Sequence, residues 1–206
     1  MNPAVALVRA YLELNGYFTV VEQSVVRGEA KGRFREVTDL DALALRFPNA
    51  QSVVPRGRPG LADDLRLSLD DTLDVSDDCM DLIIGEIKEG KPKMNHALRS
   101  DDVLYTAVAR FGCCPGPEID RVVDDLQRNG EARLRNGVEG IPCRIRLVAF
   151  GGGESGRRKD YTVVSMRDVA RFVQNHIRNN HRILNPATVR DPVLGLLHLL
   201  RKLEAD

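Results

Sequence analysis

The order of apolar and polar positions divides the chain into stretches of two different periods. In NPAVALVRAYLELNG, residues 2–16, apolar side chains recur at helical spacing; Asn2 suits the cap, Pro3 the first helical position and Gly16 a left-handed stop. YFTVVEQSVVR is dense in β-branched and aromatic residues and predicts a strand. GEAKGR predicts a turn, and REVTDLDALALRF a second strand ended by Pro48, with apolar residues on both faces as expected centrally in a sheet. From Pro48 to about Asp78 the pattern is irregular and predicts a long surface excursion. CMDLIIGEIK then returns to the sheet as a third strand.

In the second half helices come first. Ser100 is placed to cap a helix carrying Val103, Leu104, Ala107, Val108 and Phe111 inward and stopping at Gly112; another runs from Pro117 to Asn129. RIRLVAFG predicts a strand, GGESGRRKD a flexible connection and YTVVSM one more strand. Ser165 and Asp168 form a Ser-x-x-Asp capping box opening a helix whose inner side is Val169, Phe172, Val173, His176 and Ile177. In DPVLGLLHLLRKLEAD, Asp191 caps, Pro192 starts, and a leucine stripe is read as core packing. This order predicts an α/β layered fold: one domain over residues 1–206, with a helical extension from about residue 185.

Composition narrows this little. Lysine plus arginine and aspartate plus glutamate balance at 30 each, so net charge selects no partner. The distribution is uneven: ten acidic residues face Arg66 and Lys88 between Leu61 and Gly90, and fourteen basic face eight acidic from Glu131 to Asp206. Cys79, Cys113, Cys114 and Cys143 have neither a zinc spacing nor a disulfide framework and read as reduced thiols. No signal core or membrane-length apolar run occurs, so the expectation is a cytoplasmic protein with no membrane partner. GGGES at 151–155 lacks the Lys-Ser/Thr of a phosphate-binding loop.

The chemistry sits in the strands. DLIIGEIKEGK places Glu86 and Lys88 two apart after an apolar run, so both side chains project to one face at the end of a buried strand. The preceding strand is expected to end in Asp41, bringing two carboxylates and an amine to one end of the sheet. Two carboxylates on rigid strands suit Mg2+ or Mn2+, and an ammonium beside them can stabilise charge on a phosphodiester. Asp39 shares a face with Asp41, and Asp81 is read as a residue at the strand's start. The second Glu-x-Lys, Glu89 and Lys91, flanks Gly90 and Pro92 and reads as a turn.

TDLDALALRF followed by DLIIGEIK resembles the PD-(D/E)xK nuclease superfamily from about residue 3 to 110, with a further strand near 144–150. The resemblance implies a restriction-endonuclease-like fold, a mixed central sheet flanked by helices. It implies Asp41 and Glu86 as metal ligands, the Ile87 carbonyl as a third, Lys88 as the catalytic amine, Mg2+ or Mn2+ as cofactor, and DNA as the leading substrate. The proline of the motif is absent before Asp41, and Glu13 is the only nearby counterpart of the helix glutamate that some members carry.

Arg167, Arg171 and Arg178, with Arg182 if the helix extends that far, fall within about 60° on one helix face. With Arg157 and Arg158 they are the sequence's candidates for phosphate contact. Asn95 and His96 follow the motif closely enough to touch substrate. A homodimer is expected if two sites must face opposite strands. Two other readings remain open: a catalytically silent domain of this fold binding nucleic acid or protein, and an ion-paired strand end in a structural protein.

Overall fold

The computed structural model describes residues 2–50, 69–180 and 191–204. Its elements are α1 (Pro3–Leu14), β1 (Phe18–Gly28), β2 (Phe34–Arg46), β3 (Met80–Ile87), α2 (Asp101–Phe111), α3 (Gly116–Asn129), β4 (Glu131–Leu134), β5 (Cys143–Gly151), β6 (Gly156–Arg157), β7 (Thr162–Ser165), α4 (Met166–Asn179) and α5 (Pro192–Glu204). The class is α/β: among the described residues, seven strands form one mixed sheet in the order β1-β2-β3-β5-β7-β6, and β4 also pairs with β5.

The β1–β2–β3 meander is antiparallel, whereas β3, β5 and β7 run parallel. Parallel neighbours need long crossovers, and α2, α3 and β4 fill the one between β3 and β5. Strand β5 is buried throughout, with β3 along one edge and β4 then β7 along the other. Leu82 and Ile84 of β3 pack with Val103, Leu104 and Ala107 of α2 and Ile119 and Val122 of α3. Ile83 and Ile87, of opposite parity, pack with Val5, Val8 and Leu12 of α1 and Val169 and Val173 of α4. The period-2 alternation of one apolar strand thus feeds two helical layers.

Local signals fix the helix ends. Asn2 Oδ1 accepts from the Ala4 amide at 2.7 Å, and Gly16 takes φ 84°. Ser165 Oγ accepts from the Asp168 amide at 3.0 Å and donates to Asp168 Oδ2 at 2.7 Å. Asp191 Oδ1 accepts from Val193 and Leu194. Ser100 occupies the cap position of α2, but its hydroxyl donates back to the Ala97 carbonyl at 2.8 Å and caps nothing.

Several expectations are corrected. Strand β4 was not foreseen: four residues follow Gly130, which closes α3 at φ 66° where a Cβ would lie 2.1 Å from the Asp160 carbonyl oxygen. Residues 51–68 and Arg182 lie outside the described residues, but 69–78 are docked rather than an excursion. Leu73 is buried, Asp70 Oδ2 accepts from Tyr11 at 2.9 Å, Arg144 grips Asp74, and Arg46 reaches Ser76 and Asp77. The leucine stripe of α5 is not all core: Leu194 and Leu197 pack against the α1/α4 layer, while Leu196, Leu199, Leu200 and Leu203 are exposed.

Asp81 is not a simple strand start. It is fully buried, and Arg146 holds it through Nε at 3.0 Å and Nη2 at 2.5 Å. The Tyr17 hydroxyl donates to it at 2.5 Å, and Arg146 Nη1 also reaches the Leu73 carbonyl. A buried carboxylate needs such partners, and Arg146 stands two positions along β5, out of reach of any local sequence pattern.

Candidate functional site

The β2–β3 ladder runs from Arg46↔Asp81 to Ala42↔Gly85. Beyond that rung the strands part, although β2 stays paired with β1 as far as Gly28↔Phe34 and β3 stays paired with β5 as far as Ile87↔Phe150. Asp41 is the first β2 residue past the split, so it stands within a long strand rather than at its end, as the sequence suggested. Its Oδ2 accepts from the Ile87 amide at 2.6 Å, doing for that N–H what a ladder carbonyl would otherwise do.

Glu86 lies at the same point near the end of β3, and Lys88 directly follows its last residue. Alternation places Glu86 on the face of Leu82 and Ile84, opposite Ile83 and Ile87. The Glu86 side chain is 3% exposed and that of Lys88 45%, and the Lys88 ammonium forms an ion pair with Glu86 Oε1. The Lys88 amide donates to the Phe150 carbonyl at 2.9 Å, continuing the ladder with β5. The three sequence-predicted groups therefore meet where one side of the β3 ladder opens and the other remains closed.

The electrostatics follow from this placement. Burial pushes the Glu86 carboxyl above its ordinary range, with the hydrogen bond from Lys88 pulling the other way and Asp41 adding to the rise. Burial also raises Asp41, opposed by the Ile87 amide and by Lys88. The hydrogen bond to Glu86 holds Lys88 above the usual lysine value, so it is an ammonium at neutral pH. Asp39, exposed one alternation away, raises both carboxyls.

Glu22 is a member of this group that sequence reasoning missed. It falls between the rungs Val21↔Ala42 and Gln23↔Leu40, which sets it across from Asp41, and its charge raises Asp41 further. Its φ of 51° is unusual for a strand residue, and its Oε1 accepts from the Asn2 amide at 3.2 Å. Only the register of the β1–β2 pair places Glu22 here, and a sequence does not print its register.

Among the described residues no three His, Cys, Asp or Glu side chains are arranged to hold a metal. The oxygen atoms this point of the sheet offers are the Asp41 and Glu86 carboxylates and the neighbouring Ile87 carbonyl. Hard oxygen donors leaving positions for water fit Mg2+ or Mn2+. A carboxylate as buried as Glu86, its charge disfavoured by desolvation and balanced by one ammonium, is also one that a cation would stabilise.

Other candidates are placed elsewhere. Glu13 pairs with Arg9 at 3.5 Å and accepts from Thr19 at 3.0 Å. Asn95 Oδ1 accepts from the Ala97 amide within its own turn, and His96 is exposed. Arg167, Arg171 and Arg178 are exposed along α4, whose core side packs on the sheet face opposite that of Glu86. Arg167 lies near the sheet end where β7 finishes, and Arg178 is eleven residues on, about 16 Å along the helix. Arg171 pairs with Asp168 at 3.1 Å. Arg157 bonds the Asn129 carbonyl and Thr162, and Arg158 reaches the Glu154 carbonyl at 3.2 Å.

All four cysteines are free. Burial, with Cys114 and Cys143 close by, pushes Cys113 up to about 12, so it stays a protonated thiol. No helix among the described residues is long and apolar enough to cross a membrane. Comparison of the chain with family models, with curated proteins and with solved structures returned no match.

Proposed function

We propose that the protein is a divalent-metal-dependent nuclease hydrolysing phosphodiester bonds, with DNA as its substrate. The observation carrying this reading is the meeting of Asp41, Glu86 and Lys88 at the β2–β3 split, two acids and an amine from adjacent strands. The arrangement that the resemblance to PD-(D/E)xK nucleases leads one to expect supports it: a helix before the first strand, an Asp on the second, Glu-x-Lys on the third, and a further strand near 144–150, which is β5 beside β3.

Asp41, Glu86 and the Ile87 carbonyl would hold Mg2+ or Mn2+. Such an ion, when bound, offsets phosphate charge and acidifies an attacking water. The chain's own part is positional and electrostatic. The Ile87 amide fixes the Asp41 carboxylate, and the β3–β5 ladder fixes the backbone of Lys88. Lys88, the ammonium beside the two acids, would serve as a positive charge against the phosphate in the transition state.

The experiment is incubation of the purified protein with duplex, branched and single-stranded DNA and with RNA, with Mg2+ or Mn2+ and then with chelator. The expected result is cleavage that stops with chelator and with Glu86→Ala or Lys88→Ala. Cleavage surviving either substitution overturns the assignment. Salt-sensitive binding without turnover would instead identify a catalytically silent domain.

A further inference from the structure

The β1–β2 hairpin outruns the sheet. Strand β3 pairs with β2 only from Ala42 to Arg46, yet β2 continues back to Phe34 against β1. Residues 34–41 of β2 and the β1 residues opposite them therefore form a two-stranded ribbon of about 20–25 Å. Because β2 and β3 are antiparallel, the ribbon projects past the end of the sheet where β3 finishes at Ile87, and Asp41 stands at its root.

A two-stranded ribbon is marginal in water by itself. This one is anchored near its root by buried Val25 and Leu40 and tied to α2 by an ion pair between Arg27 and Asp102. Its outer part buries little: Phe34 is 76% and Val26 56% exposed. The tip turns through Lys31 and Gly32, with φ of 62° and 69°. Between Arg27 and Arg35 there are four basic residues against Glu29. Arg27 and Arg35 are paired, with Asp102 and Glu29 respectively. Lys31 and Arg33 are exposed and have no ion-pair partner among the described residues. Lys91 and Lys93, on the segment leaving β3, are exposed at the same end of the sheet. Exposed positive charge thus lies at the arm's tip, with Asp41 at its root, and on the segment that leaves β3, in a chain whose total charge is zero.

We infer that this ribbon is the arm by which the protein grips duplex DNA beside the site, Lys31 and Arg33 contacting backbone phosphates as the ribbon lies in a groove. The inference rests on the nuclease reading and specifies the form of its substrate. A projecting two-stranded ribbon matches the width of the major groove. A single strand calls for a groove with a succession of aromatic platforms, whereas the outer arm offers one exposed aromatic, Phe34.

The test is fluorescence anisotropy of a short labelled duplex, and of one of its strands alone, over a salt series without divalent ions. Wild-type protein, Lys31→Ala/Arg33→Ala and Arg167→Ala/Arg171→Ala are compared, with thermal melting to verify folding. Wild type should prefer the duplex. Lys31→Ala/Arg33→Ala should bind it more weakly, with a log–log salt slope shallower by about 2, while melting unchanged. Unchanged affinity and slope in that variant, loss confined to the α4 double variant, or equal binding of duplex and single strand would each overturn the inference. Cleavage is read separately with Mg2+. Binding through the arm with no cleavage defeats the nuclease reading alone, and cleavage with an unaltered slope defeats the arm alone.

Discussion

Asp41 and Ile87 are joined by one hydrogen bond, 2.6 Å from amide to Oδ2, made where the ladder between their strands stops. The contact gives the carboxylate two separable roles, acceptor for a backbone N–H and source of charge. Asp41→Asn retains an oxygen for the amide and removes the charge. It should fold at least as stably as wild type at neutral pH, because the charge it removes is disfavoured by burial, and lose cleavage by about a hundredfold or more. Asp41→Ala leaves the Ile87 amide without its acceptor and should also cost about 1–3 kcal/mol in urea unfolding. Full cleavage by Asp41→Asn would remove Asp41 from the site.

The raised carboxyls make stability and metal binding depend on pH in opposite senses. A carboxyl whose pKa is higher folded than unfolded holds more protons in the folded state, so stability falls as pH rises from the ordinary carboxylate range through the raised value. Burial places Glu86 and Asp41 in this class. At neutral pH without metal, Glu86→Gln should therefore melt above wild type, by about 2–4 °C for each kcal/mol recovered. Mg2+ or Mn2+ needs the ionised acids, so the melting shift it confers, about 2.7 kcal/mol at a hundredfold excess over Kd, should vanish as pH falls through the raised values and be absent in Glu86→Gln. Scanning calorimetry across pH with and without metal measures both.

Legibility from sequence followed the range of the interaction. Caps at Asn2, Ser165 and Asp191 and stops at Gly16 and Gly112 are local chemistry, and the helices begin and end there. Glu86 and Lys88 were readable because alternation within one strand fixes their common face. What depends on pairing was not readable. Glu22 enters the site through β1–β2 register, the arm exists because β3 pairs with only part of β2, and β4 is a four-residue strand defined by β5. Asp81 reads from sequence as a residue at the strand's start because Arg146 and Tyr17 are 65 and 64 residues away.

The Asp81–Arg146 pair lends itself to a stability test. Both side chains are fully buried, and Tyr17 and the Leu73 carbonyl complete their bonding. Asp81→Ala leaves a buried guanidinium without its counter-charge and should cost about 3–5 kcal/mol. Replacing the pair together, Asp81→Leu with Arg146→Met, should recover most of that loss, because the cost lies in the unpaired charge. Urea unfolding of the single and double variants decides; equal losses in both would mean that the pair holds the 69–78 segment in place rather than merely satisfying itself.

The two sides of α5 should respond differently to substitution. Leu199 and Leu203 are 51% and 64% exposed, so little apolar surface leaves water when they fold. Leu199→Gln and Leu203→Gln should each alter stability by no more than about 0.5 kcal/mol. Leu12, fully buried in the α1/α4 layer on which Leu194 and Leu197 rest, is the contrast: Leu12→Ala should cost about 2–5 kcal/mol through lost contacts and an unfilled cavity. Comparable losses at Leu199 and Leu12 would return the whole stripe to the core, as its leucine pattern suggested. Small losses at Leu199 and Leu203 with a large one at Leu12 would place the boundary of the hydrophobic interior along the middle of α5, between Leu197 and Leu199, where His198 is buried with both ring nitrogens unpartnered.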